Sequence, residues 1–137
     1  MKNKTLATLG LLALLATASA FGQPSIPFDI PFEFSTGATV MPAGHYTITQ
    51  AAQSGLKHLE CYDCKVNVLL LTRRIGSSPM GREPKLVFNK YGDTYFLSAV
   101  WSPDGEGSAL PESKIEHETA LRAALTPTTQ VVLVARR

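Results

Sequence analysis

Lys85-Leu86-Val87-Phe88-Asn89-Lys90-Tyr91-Gly92-Asp93-Thr94-Tyr95-Phe96-Leu97-Ser98-Ala99-Val100-Trp101 is the stretch whose reading decides the fold class. Gly92-Asp93 is a two-residue turn pair, and both flanks are rich in β-branched and aromatic residues, so the segment reads as a β-hairpin. Pairing Tyr91 with Thr94 sets its register. Strict alternation then puts Leu86 and Phe88 on one face with Tyr95, Leu97, Ala99 and Trp101, and leaves Val87, Asn89, Phe96 and Val100 on a more mixed opposite face.

Working outward, Ile26, Phe28, Ile30, Phe32 and Phe34 alternate with Pro27, Asp29, Pro31 and Glu33, the pattern of a half-buried strand. Pro27 and Pro31 remove donors from the same side of that strand, which predicts a sheet edge. Burying its five apolar side chains, at roughly 1.5–3 kcal/mol each, outweighs any surface ion pair the chain can form. Met41-Pro42-Ala43-Gly44 reads as a type I turn into a strand from His45 to Gln50, with Tyr46 and Ile48 inward. Residues 51–55 form a small polar connector. Leu56 to Glu60 and Lys65 to Thr72 read as strands, the second as a central one because Val66 to Leu71 is almost wholly apolar.

Residues 73–84 and 102–109 read as loops, from their Gly, Ser, Pro and Asp content. Ser113-Lys114-Ile115-Glu116 fits a capping box opening a helix to about Leu125, with a narrow apolar face of Leu121, Ala124 and Leu125, and Pro127 stops it. Gln130 to Ala135 is a last β-branched strand. The expected fold is all-β with one short helix in the C-terminal half: an antiparallel β-barrel or β-sandwich of about 6–8 strands.

The first twenty residues obey a different logic. Lys2 and Lys4, the apolar run Leu6 to Ala16 and the small residues Ala18-Ser19-Ala20 read as a signal peptide, residues 1–20, cleaved between Ala20 and Phe21. A membrane span needs roughly 20 apolar residues, more than this run supplies, and the longest later run is Val68 to Leu71. Residues 21–137 are thus expected to form a single β-rich domain without a transmembrane segment, exported to the periplasm or the medium. Without Lys2 and Lys4 the 13 basic residues fall to 11, equal to the 11 acidic ones. Nucleic acid is therefore not an expected partner, because its binding draws on a surplus of Lys and Arg.

Cys61-Tyr62-Asp63-Cys64 is the one chemically loaded spacing. In an oxidising compartment a turn brings two such cysteines close enough for a structural disulfide. A thiol-disulfide exchange site is the alternative, but it needs cations or a helix start to stabilise a thiolate, and Glu60 and Asp63 stand nearby instead. Haem attachment would need His where Lys65 stands, and His45, His58 and His117 lack the spacing of zinc ligands. Gly76 to Gly81 continues with Arg82-Glu83 rather than the Lys and Ser or Thr of a phosphate loop. Glu116-His117-Glu118 lacks the second histidine of a zinc-protease helix. No serine has nucleophile-elbow spacing. Neither enzyme chemistry nor a cofactor or metal is expected. Tyr91, Tyr95 and Trp101 are the candidate ligand or partner surface, weighed against plain core packing.

The stretches Ile26 to Phe34, Met41-Pro42-Ala43-Gly44-His45-Tyr46, Lys85 to Asp93, Tyr95 to Trp101 and Leu110-Pro111-Glu112-Ser113-Lys114 resemble a family of small exported proteins of unknown function found in acidobacterial soil bacteria. The resemblance spans most of residues 21–137 and implies a shared fold and an envelope or secreted location, with no catalytic residues to carry over. Cys61 and Cys64 lie outside it. The expected function is that of an exported, non-catalytic protein binding an envelope or extracellular macromolecule. The alternatives are a β-barrel carrier of a small apolar ligand and a thiol-active protein using the cysteine pair.

Overall fold

Alternating apolar side chains make most of this chain into strands. The computed structural model describes residues 25–51, 55–77, 82–124 and 129–136; the expected leader and its Ala20/Phe21 junction lie outside them. In chain order the elements are β1 (Ile26–Ile30), β2 (Phe34–Thr36), β3 (Thr39–Met41), β4 (Gly44–Gln50), β5 (Leu56–Cys61), β6 (Asn67–Leu71), β7 (Arg73–Ser77), β8 (Lys85–Tyr91), β9 (Thr94–Trp101), β10 (Glu106–Ala109), α1 (Lys114–Arg122) and β11 (Thr129–Val134). One sheet runs β1-β4-β5-β6, all antiparallel; the other runs β11-β8-β9-β10-β7, with the β2–β3 hairpin attached by a parallel bridge between Ser35 and Phe96. The two sheets face each other as a sandwich rather than closing into a barrel. The described strands exceed the expected six to eight because β2, β3, β7 and β10 are short pairs that periodicity over longer windows does not register.

The core is the inner faces of both sheets: Phe28, Ile30, Tyr46, Ile48, Leu59 and Leu70 from one, Phe34, Met41, Leu86, Phe88, Leu97 and Val100 from the other. Pro27 marks an edge, as expected, but the strand expected from Ile26 to Phe34 ends at Ile30: Pro31 lies beyond it, and Phe34 begins β2 in the other sheet. Pro27, lacking an N–H, turns its polar groups away from β4, and its carbonyl accepts the Arg136 N–H at 2.9 Å. The C-terminal run thereby sutures one side of the sandwich, after β11 has paired with β8.

The β8–β9 hairpin keeps the Tyr91–Thr94 register, but an irregularity between Val87 and Phe88 places Val87 opposite Ala99 and Leu86 opposite Val100. Three residues of β9 thus face two of β8 across the step, a bulge that leaves Ser98 extra and reverses the phase beyond it. Val100 joins the core, and Ala99 and Trp101 turn to the outer face, the reverse of strict alternation.

Other expectations change for reasons of pairing. Arg73–Ser77 and Glu106–Ala109, read as loops, pair with each other as β7 and β10, and Gly76 takes φ 120°, a conformation that favours glycine. The remainder of the phosphate-loop-like stretch, residues 78–81, lies outside the described residues. β6 is an edge strand rather than a central one: only Val68 and Leu70 turn inward. The helix begins at the expected cap, with Ser113 Oγ accepting the Glu116 N–H at 3.1 Å. It ends at Arg122; of its expected apolar face Leu121 is 64% exposed, and Leu125, like Pro127, lies outside the described residues. Glu116 docks instead, 6% exposed, with Oε1 accepting from Asn89 Nδ2 at 3.1 Å and Tyr91 OH at 3.2 Å.

Candidate functional site

β6 presents an open edge. Its turn bonds, Cys61 N–H to Val66 O at 2.8 Å and Thr72 N–H to Gly55 O at 2.7 Å, identify the hydrogen-bonded pairs with β5. Antiparallel alternation then directs Val68 and Leu70 toward β5, and the N–H and C=O groups of Asn67, Leu69 and Leu71 toward the opposite edge. No described strand pairs with that edge. The same residues point their side chains to the sheet's outer face, where Leu69 and Leu71 are 61% and 66% exposed. Natural edges are commonly blunted by charge, proline or a bulge. Asn67-Val68-Leu69-Leu70-Leu71 carries none of these, although Lys65 and Arg73 flank it.

The Cys61–Cys64 disulfide fixes where β6 begins. Its Cα atoms are 5.5 Å apart, Cys61 is buried in the core, and Cys64 N–H donates to Cys61 Sγ at 3.2 Å. Lys65 follows with φ 54°, turning the chain back along β5. Closing so short a loop contributes about 2 kcal/mol by the chain-entropy argument, enough to order one turn. A side chain at Gly44 would begin 3.2 Å from Cys61 Sγ, so a small residue belongs there. Beside the bridge His45 sits between two carboxylates, with Nδ1 on Asp29 Oδ1 and Nε2 3.6 Å from Asp63 Oδ2.

Tyr46 packs under this end, its OH donating to Pro42 O at 2.5 Å and lying 3.9 Å from Cys64 Sγ. Burial pushes its phenol from 10.0 up to about 12. Because the folded value lies above the unfolded one, this contribution is fully present below pH 10 and is lost as the pH rises toward about 12. Tyr46→Phe should flatten that alkaline loss of stability while costing about 1–3 kcal/mol at neutral pH, where the Pro42 carbonyl loses its donor. Denaturant unfolding at neutral and alkaline pH checks both signs.

The three aromatic candidates are not brought together. Tyr91 lies on the outer face of the larger sheet, bonded to Glu116; burial and that carboxylate raise its phenol pKa. Tyr95 points inward, stacked on Phe32 with ring centroids 3.9 Å apart. Trp101 lies at the other end of the outer face, beneath Lys85 Nζ at 5.6 Å from its ring and against Gly107. Among the described residues no group of three or more His, Cys, Asp or Glu is placed to hold a metal ion, and no helix is long and apolar enough to cross a membrane.

A cleft of about 800 Å³ opens between the sheets at the end of the sandwich away from the disulfide. Ile26 and Ile48 form an apolar wall, and Lys57, only 6% exposed, reaches in from the inner face of β5. Sequence reasoning missed Lys57, although Lys57, Leu59 and Cys61 share one phase of β5 and the phase itself was the signal. Burial lowers its pKa, and Asp104 and Glu106 partly restore it.

No family model matches the chain, and no curated protein or solved structure matches it.

Proposed function

We propose that this is an exported, non-catalytic binding protein that takes an extended segment of an envelope or extracellular partner protein onto β6. The single observation that carries the reading is the contrast between the two edges of the four-stranded sheet. β1 is guarded by Pro27 and met by Arg136, whereas β6 offers backbone donors and acceptors at Asn67, Leu69 and Leu71 beside two exposed leucines. Strand addition uses these features: main-chain bonds supply affinity, and alternate side chains supply specificity. Lys65 and Arg73 at the two ends favour a partner segment with apolar alternation and acidic flanks.

Export, to the periplasm or the medium, rests on the leader pattern of residues 1–20, and the Cys61–Cys64 disulfide is compatible with it. Kinship with the exported acidobacterial family belongs to the same proposal. The carrier alternative calls for a cavity lined by the aromatic and aliphatic faces. Here Phe88 instead meets Phe32 and Phe34 at centroid distances of 5.0 and 5.3 Å, so these aromatic faces are occupied by one another.

The test exploits the alternation of edges. Leu69→Pro removes an outward donor without touching the β5–β6 ladder, and Leu69→Ser keeps the donor. In capture from the native envelope and medium, Leu69→Pro is expected to lose the partner by at least tenfold, and Leu69→Ser to lose less. Equal recovery by Leu69→Pro, or a partner held elsewhere on the domain, contradicts the reading.

A further inference from the structure

The cleft at the Lys57 end has a chemistry of its own. Strict inward phase carries a primary amine past Leu59 to where the apolar core stops, so an ammonium ends the inward row of Cys61, Leu59 and Lys57. Its Nζ donates to Gln50 Oε1 at 2.9 Å, a neutral acceptor, and no carboxylate of the described residues lies within salt-bridge distance. The two nearby acids have other engagements. Glu106 pairs with Arg74 at 2.7 Å, and Asp104 Oδ1 accepts the Glu106 N–H at 2.9 Å. A buried cation whose one side-chain hydrogen-bond acceptor is neutral is only partly compensated by Asp104 and Glu106 at longer range, and an anion that accepts its remaining N–H groups offsets more of the cost.

From this arrangement the geometry points to a binding site for a small aliphatic carboxylate, its carboxyl group on Lys57 and its chain along Ile26 and Ile48. An ammonium has three donors, of which Gln50 takes one, and a charge-assisted bond to a carboxylate is about twice as strong as a neutral one. Ser108, on the facing strand, lines the same space and adds a hydroxyl to the polar side of the cleft. The Arg74–Glu106 pair at the rim has no net charge, and Asp104, which also lines the cleft, keeps its charge while accepting a neutral N–H; Lys57 is the buried cation that meets the headgroup. The volume is in the range of small-molecule sites. The site is separate from the β6 edge and stands or falls independently of it.

Calorimetric titration of the purified protein with octanoate, octanol and octylamine, which share a chain and differ in headgroup, tests the inference. Octanoate is expected to bind saturably, octanol at least tenfold more weakly, and octylamine weaker still. Lys57→Met should weaken octanoate roughly 10- to 100-fold, with a melting temperature unchanged or raised because a buried charge is gone. Lys57→Arg, which keeps the charge, should retain most of the binding, and Leu69→Pro should bind octanoate normally. Absence of saturable heat with octanoate, equal binding of octanol, preference for octylamine, or undiminished affinity in folded Lys57→Met overturns it.

Discussion

Phe88→Ala is expected to cost about 3–5 kcal/mol of folding stability, the largest effect of any single truncation considered for this domain. Phe88 lies fully buried at the point where the sheets meet, with Phe32 edge-on at 85° and Phe34 at 76°. Phe34 in turn meets Tyr46 of the facing sheet at 5.3 Å, so removing the ring at 88 leaves a cavity against a chain of aromatic contacts that spans both layers. Such pairs add about 0.5–1.5 kcal/mol beyond their buried area. Phe88→Leu fills much of the space and should recover most of the loss. Denaturant midpoints measure both; a loss below about 1 kcal/mol in the alanine variant would mean that the core does not run through this ring.

Gly107→Val should displace Trp101 and cost about 1–3 kcal/mol. Gly107 is paired with Trp101 across β10 and β9, and a Cβ there would meet indole carbons at 2.6, 2.7 and 2.9 Å. The ring lies on the glycine because the bulge turned it outward, and Lys85 covers it from the neighbouring strand. Trp101 is the sole tryptophan of the chain, so its emission reports the change without ambiguity. Displacement predicts a red shift in folded Gly107→Val, with a smaller one in Gly107→Ala. An unshifted spectrum in both variants would place the indole elsewhere.

What was legible in the sequence is what neighbouring residues decide among themselves. Gly92-Asp93 with Tyr91 and Thr94 sets a hairpin register, Pro27 forbids a ladder bond, and Ser113 caps a helix; each is a local interaction, and each stands in the structure. The bulge at Ser98 was not legible, because one extra residue carries no mark in the pattern and yet exchanges Trp101 for Val100 at the core. Strand order was equally hidden. Leu69 and Leu71 read as interior because apolar runs usually are, and only the long-range pairing of β5 with β4 on its other side leaves β6 outermost. Of the candidate site residues, the cysteine pair was found from spacing and compartment, whereas the aromatic set was a composition signal that the fold divides between two faces. Glu116 was read as a capping residue. Its carboxylate instead bonds Asn89 and Tyr91, which arrive beneath it from a distant strand.

Amide hydrogen exchange, resolved by residue, on the protein alone and in complex with its captured partner tests the central claim that β6 accepts a strand. The account predicts that Asn67, Leu69 and Leu71 exchange rapidly in the protein alone, slower neighbours Val68 and Leu70 being held by β5, and that all three outward amides become protected on binding. Protection that spares these three amides and falls on another part of the domain would contradict it.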